Sequence, residues 1–400
     1  MGTLLVGLLV IWCLLPTQQI LSDTVQDQDE FTERLLIEAA IPGLAVARLK
    51  AGEVVYLNGY GVANVESGVR VTQDTLFNIA SISKPIMGTV LLQLVDQGLL
   101  DLDRDINGYL PFRIDNPLVT GEVITTRHLA THSSGIADYY DTASYYANSD
   151  PDITLEEHLR SLLTPEGSKY DKGRFFLPHS PGTKRSYSNL AAGVAGLLVE
   201  SVTGTSLADY SDKTLFRQLN LNNTNWRLQG LRLAAIATPY EVRQCVPFTG
   251  LCADTESPKA NFIISKLFSP PFENKTYVPY PHFGNPQYPD GGIRTSIADL
   301  STLLSGILKN TAADGTPLLS ESSYRELFKL QLPTNISERQ RFFWRDRDGL
   351  TGHTGSDLGV YTSAYFDLET GDGYIVLMNR GVDSMASTAM ERIAERLRSR

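Results

Sequence analysis

The stretch 78–100, NIASISKPIMGTVLLQLVDQGLL, decides how the rest of the chain is read. It sets Ser81 and Lys84 three residues apart at the start of a helical pattern, with Ile86, Met87, Val90, Leu91, Leu94 and Val95 forming an apolar face. Pro85 lacks an N–H and is cheap only in a first turn, so the helix must begin near Ser81. Ser81 then stands at the positive end of the helix dipole, where a developing oxyanion is favoured, and Lys84 follows on the same face. A serine hydroxyl becomes a nucleophile only when a base takes its proton and donors hold the oxyanion. An exposed lysine, with an ordinary pKa of about 10.4, is protonated, and only burial or nearby positive charge would make it a base. Alone, S-x-x-K is better read as a capping serine and a solvated lysine.

Two further stretches supply candidates. PGTKRSYSNLAAGVAGLLVESVTG (181–204) puts Tyr187, Ser188 and Asn189 at the head of a second apolar helix. Tyr187 could pass a proton to a leaving group and the Asn189 amide could hold a substrate carbonyl; the alternative is aromatic packing with Asn189 as a cap. GLTGHTGSDLGVYTSAYF (349–366) sets His353, Thr354 and Gly355 beside a strand. Gly355 would let a substrate backbone approach, and the Ser356 N–H could join that of Ser81 in an oxyanion hole.

The ordered set S-x-x-K, Y-x-N and H/K-T-G resembles the serine β-lactamase and penicillin-binding superfamily. The tyrosine in the middle motif resembles the class C branch, which holds D-alanyl-D-alanine carboxypeptidases, D-aminopeptidases and esterases. The resemblance spans about residues 30 to 399, and ITTRHLATHSSGI (124–136) and DGGIRTSIADLSTLLSGIL (290–308) look like family segments bordering the site. It implies an α+β, β-lactamase/transpeptidase-like fold. It implies Ser81 as the acylated nucleophile, Lys84 as its activator, Tyr187 as general base and acid, Asn189 as holder of the substrate amide, and His353 and Thr354 as the wall beside the acyl chain. True class C β-lactamases carry lysine where this chain has His353. A histidine would hold only part of a positive charge near neutrality, which favours a carboxypeptidase-like or esterase-like enzyme acting on an ester or amide over an efficient β-lactamase; β-lactamase or acyltransferase activity on the same site is the alternative.

The pattern of elements agrees with that fold. GLAVARLKAGEVVYLNGYGVANV (43–65) reads as a hairpin turning at Lys50-Ala51-Gly52, after a helix from Phe31 to Ala40. GVYTSAYFDLETGDGYIVLMNRG (359–381) repeats the grammar before a last helix from about Asp383 to Arg398. These predict one antiparallel sheet made from both chain extremities, over 23–115 and 290–400, with a mostly helical insert at 116–289. Within the insert, 245–289 carries eight prolines and reads as a long ordered loop. That stretch and 137–180 are the expected pocket walls.

With 400 residues, 42% of them hydrophobic, the chain can bury a large core. Its net charge of −10, without long like-charge runs, leaves no electrostatic footprint for nucleic acid or anionic membranes. Residues 1–22 read as a signal peptide for secretion; the alternative is an uncleaved N-terminal membrane anchor. Cys245 and Cys252 close a short loop and suit a disulfide, and Asn222, Asn274 and Asn335 open glycosylation sequons. His128 and His132 are spaced as H-x-x-x-H, but Leu129 stands where a zinc protease needs glutamate, so they read as packing or hydrogen-bonding residues and no metal is expected. No G-x-S-x-G elbow occurs and no phosphate loop is complete, so no cofactor is expected. The expected partner is a small-molecule or short-peptide ester or amide; the reading from another class is a binding protein that keeps the fold without turnover.

Overall fold

The computed structural model describes residues 15–245, 252–253 and 275–399. Seven antiparallel strands form its main sheet: β1 (Gly43–Lys50), β2 (Glu53–Asn64), β3 (Val69–Arg70), β4 (Arg345–Arg347), β5 (Leu350–Asp357), β6 (Val360–Phe366) and β7 (Gly373–Met378). Their spatial order is β4-β5-β6-β7-β1-β2-β3, so the seam between the chain's two ends is the β1–β7 ladder, from Leu44 opposite Met378 to Leu49 opposite Gly373. The two hairpin turns also meet. Gly52 N–H donates to the Gly371 carbonyl at 2.9 Å and Ala51 N–H to Asp372 Oδ1 at 2.8 Å. The turn at Ala51-Gly52 places both residues at positive φ, which suits a two-residue hairpin loop.

Strand alternation divides the core. Leu44 and Val46 point to one face, under α1 (Leu15–Glu38) and the last helix α5 (Ser384–Arg398), with Leu35, Leu36, Met390 and Ile393 as the covering residues. Ala45, Ala47 and Leu49 point to the other face. There a continuous apolar cluster runs through α2 (Ser83–Asp96), α3 (Asn189–Thr203) and α4 (Ile297–Lys309), reaching Leu159, Leu198 and Ile297. A small residue at every second position of β1 lets these helices lie close to the sheet.

Helix α2 differs from the amphipathic reading. All its residues from Ser83 to Leu94 are buried, including Lys84, Thr89 and Gln93. It is a central helix whose polar side chains find partners inside the protein, Gln93 Nε2 donating to the Thr214 carbonyl at 3.0 Å while its Oε1 is left without one among the described residues. A short 3-10 turn, Ala80–Ile82, precedes it and carries Ser81, so Pro85 does sit in the first turn.

Part of the proline-dense stretch is strand rather than loop. Lys275–Pro279 pairs antiparallel with Tyr240–Cys245, Tyr240 lying opposite Pro279, because the alternating Thr276, Tyr277 and Val278 favour extended backbone and the proline falls at the end. The backbones of Cys245 and Cys252 lie opposite each other in a short ladder. Their side chains, Asn274 and residues 1–14 are outside the described residues. Asn222 and Asn335 are exposed.

Gly355 has a role in the fold. A Cβ there would lie 2.4 Å from the Ile79 carbonyl oxygen and 2.4 Å from Thr362 Oγ1. Only glycine lets β5 press against the backbone that leads into the Ser81 turn. Gly355→Ala is therefore expected to cost about 1–3 kcal/mol in urea unfolding, as overpacking does, and to slow reaction at Ser81 beyond what the lost stability explains.

Candidate active site

Ser81 is pinned by its neighbours. Ile79 N–H donates to the Ile293 carbonyl at 3.0 Å, and the Ile79 carbonyl accepts from Thr362 Oγ1 at 2.9 Å. Ala80 then turns the chain through the left-handed region, at φ 47°, with its N–H on Asn78 Oδ1 at 2.7 Å. A non-glycine residue held at positive φ is a local cost that the surrounding bonds maintain. The turn presents Ser81 Oγ at the wall of a cavity of about 780 Å³.

Two side chains reach that oxygen, and His353 shares its cavity. Lys84, fully buried, extends Nζ to Ser81 Oγ at 3.0 Å and to the backbone carbonyl of Asp290. Tyr187 OH lies 2.9 Å from the same Oγ, and Lys84 Nζ stands 5.1 Å from the centre of the Tyr187 ring. His353 shares the cavity, its ring centre 6.3 Å from that of Tyr187. Lys84 thus has no carboxylate among its hydrogen-bond partners, because the Asp290 carboxyl is turned to Asn285 Nδ2 at 3.1 Å and Gln287 Nε2 at 2.9 Å.

The remaining sequence-derived residues divide. Asn189, Thr354 and Ser356 line the cavity with Ser81 and Tyr187. Asn189 opens α3 but does not cap it: Ser188 Oγ accepts the Ala191 N–H, while the Asn189 N–H donates to Asp138 Oδ1 at 2.8 Å. Ser356 sits where β5 has run past β4, whose pairing ends at Gly352, so β5 is paired only with β6 there and its other edge is unpaired. Gly355 is not in the cavity wall. Its missing side chain serves the approach of β5 to Ile79 rather than the approach of a substrate, which corrects the substrate-binding reading.

His353 also differs from expectation. Its Nδ1 lies 2.5 Å from the Thr354 carbonyl, and since a carbonyl only accepts, the proton is assigned to Nδ1 and Nε2 keeps a lone pair. One edge of the ring remains open to the cavity, but burial, and then the Lys84 charge, push its pKa down to about 3. His353 is therefore neutral at pH 7 and does not carry the partial charge the sequence suggested.

His132 is the residue whose importance the sequence understated. Itself at φ 54°, it accepts the Ser186 N–H on its carbonyl at 2.7 Å and the Ser188 N–H on Nδ1 at 3.3 Å, and its ring packs 4.3 Å from that of Tyr187. It thereby holds both neighbours of Tyr187. His128 instead completes a capping box with Thr125. Among the described residues no group of three or more His, Cys, Asp or Glu is placed to hold a metal ion. Of the expected walls, 137–180 contributes Asp138 and Tyr140, and Tyr280 comes from the proline-dense stretch.

Asp290 supplies a pH test. Burial raises its pKa to about 7, against the lowering influence of Lys84. A carboxyl whose folded pKa exceeds its unfolded value stabilises the fold at low pH, and that contribution fades as pH rises from about 4 to about 7. Asp290→Asn removes the ionisation and keeps the backbone carbonyl. Its melting temperature relative to the unmodified protein is expected to be higher at pH 8 than at pH 5.

Comparison with known proteins agrees with this architecture. Protein flp of Staphylococcus aureus (strain N315) is 27% identical over 229 residues, 57% of this chain and 44% of that protein. Esterase EstB of Burkholderia gladioli is 31% identical over 205 residues, 49% of this chain and 50% of the esterase. The chain thus spans about half the length of the curated relatives it matches. The D-amino acid amidase of Ochrobactrum anthropi SV3, solved with D-phenylalanine, superposes with a TM-score of 0.65 at 19% identity over 93% of this chain and 99% of that one, a likeness of fold. The sequence model of the Beta-lactamase family matches residues 21–397, nearly the whole chain, and on that match the protein belongs to the β-lactamase family.

Proposed function

We propose that the chain is a serine hydrolase that cleaves an ester or amide through an acyl-enzyme on Ser81. The observation that carries this reading is the convergence on Ser81 Oγ of Lys84 Nζ at 3.0 Å and Tyr187 OH at 2.9 Å, at the wall of a large cavity. Oγ attacks the substrate carbonyl carbon while Lys84 Nζ takes the hydroxyl proton. Tyr187 gives its proton to the departing oxygen or nitrogen and recovers one from the Lys84 ammonium. A water then attacks the ester carbon; Tyr187 takes its proton while passing its own to the Lys84 amine, and the Lys84 ammonium returns that proton to Oγ as the acid leaves. The N–H groups of Ser81 and Ser356 are the proposed oxyanion donors.

Several features support hydrolysis over mere binding. The set is intact, Ala80 is held at positive φ to present it, and the hydrogen-bond partners of buried Lys84 among the described residues are a hydroxyl and a carbonyl. A neutral His353 supports the esterase or carboxypeptidase type over β-lactam capture by a cation at that position. The apolar leader supports secretion as the location.

Ser81→Ala is expected to abolish hydrolysis of p-nitrophenyl acetate and of D-amino-acid amides while leaving the melting temperature within a few degrees. Lys84→Ala is expected to lower kcat/KM by about 10²- to 10⁴-fold, the usual loss for a general base. Unchanged kinetics in the Lys84 variant would refute the assignment, and a wild-type protein inert toward the whole panel would favour the binding reading.

A further inference from the structure

Ser356 lies between two fixings. Before it, Gly355 presses on the Ile79 carbonyl; after it, Asp357 closes β5 opposite Val360 of β6. Past Asp357 the chain turns at Gly359, φ 63°, against the Pro239–Tyr240 backbone. The Asp357 carboxylate is held from the helical insert. It accepts from Tyr140 OH and from Tyr145 OH, the latter at 3.3 Å to Oδ1 and 3.4 Å to Oδ2, and Oδ1 also accepts the Leu358 N–H at 2.7 Å. Tyr140 is 46% exposed, yet its OH is turned to this carboxylate in the cavity wall rather than left to water. Burial, and then the Asp357 charge, push the Tyr145 phenol up, so it stays a donor. The charge of Arg294 favours the ionised form of Asp357.

Both phenols belong to one segment, 137–148, whose beginning is fastened beside Tyr187. Ser188 Oγ donates to the Ala137 carbonyl at 3.0 Å, and the Asn189 N–H donates to Asp138 Oδ1 at 2.8 Å. After the phenols the segment is held again. Tyr146–Ala147 pairs antiparallel with Phe283–Gly284, the Tyr145 ring stacks on that of Phe283 with centres 4.6 Å apart, and His282 N–H donates to Asn148 Oδ1 at 3.1 Å. Residues 137–145 thus run from the head of α3, which carries Tyr187 and Asn189 into the cavity, to the residue that follows Ser356.

We propose that 137–145 is a brace across the cavity: by holding Asp357 through Tyr140 and Tyr145 it fixes where the Ser356 N–H points, and so how firmly the oxyanion is held when Ser81 reacts. The inference rests on the hydrolase reading above and adds Tyr140, Tyr145 and Asp357 as positioning residues that act through Ser356. The Gly355 contact and the Gly359 turn also hold the strand, so the brace orients the donor rather than supplying it.

The double variant Tyr140→Phe, Tyr145→Phe removes two hydroxyls and keeps both rings. Losing a whole oxyanion donor costs about 10²- to 10³-fold, and a donor kept but no longer oriented is expected to cost less, about tenfold in kcat for p-nitrophenyl acetate with KM within about twofold. Binding of phenylboronic acid, whose tetrahedral adduct on a serine puts a hydroxyl in the oxyanion position, should weaken by the same factor, a parallel that a merely structural loss would not produce. Asp357→Ala should match the double variant, and joining all three changes should add little, because they break one unit. Asp357→Asn keeps an acceptor oxygen and should retain more of the rate than Asp357→Ala. If the double variant does not fold, Tyr140→Phe alone, at an exposed residue, carries the same comparison. Unchanged kcat, or a fall in kcat with the boronate bound as tightly as before, would overturn the brace and leave the hydrolase reading standing. If the wild-type protein hydrolyses no ester, the hydrolase reading fails and boronate binding decides the brace: about tenfold tighter binding to the wild type than to the double variant supports it, and equal binding overturns it.

Discussion

The contact between two stretches of backbone at Gly355 is what the rest of the site depends on. It brings strand β5, from the C-terminal part of the chain, against the Ile79–Ala80 peptide that leads into Ser81. Thr362, on the neighbouring strand, bonds the same peptide from behind. The seam between β1 and β7 fixes where β5 can lie, and the left-handed turn at Ala80 fixes where Ser81 points. Remove the close approach and the sheet edge, with Ser356, would stand away from the hydroxyl it is meant to serve.

Electrostatics then decide what the assembled groups can do. Lys84 is placed at the centre of the protein, where its partners are a hydroxyl and a carbonyl rather than a carboxylate. The nearest acid, Asp290, is held aside by two amide side chains. His353 is kept neutral by burial and by the same lysine.

How much of this the sequence disclosed depended on whether the determining contacts were local. Pro85 dated the start of the nucleophile helix to within a few residues, because a missing N–H is a local fact. The two hairpins were legible from their turns, and their union into one sheet from the repeated grammar at the chain's ends. The full burial of α2 was not legible, since an apolar stripe does not reveal that a second and third layer close over the polar side. Gly355 was noticed but given the wrong partner: a glycine beside a motif invites a substrate, while the atom it makes room for is the Ile79 oxygen, 276 positions earlier in the chain. Tyr140, Tyr145 and Asp357 carried no motif at all, and only folding brings the two phenols to that carboxylate.

The central claim is that Ser81 Oγ becomes esterified during turnover. Quenching the protein with acid within the first turnovers of p-nitrophenyl acetate, followed by peptide mapping by mass spectrometry, tests it most directly. The account predicts a gain of one acetyl group on the peptide that contains Ser81, absent after Ser81→Ala and scarce after Lys84→Ala. An acetyl group found on another residue while product continues to form, or accumulation on Ser81 undiminished by loss of Lys84, would contradict it.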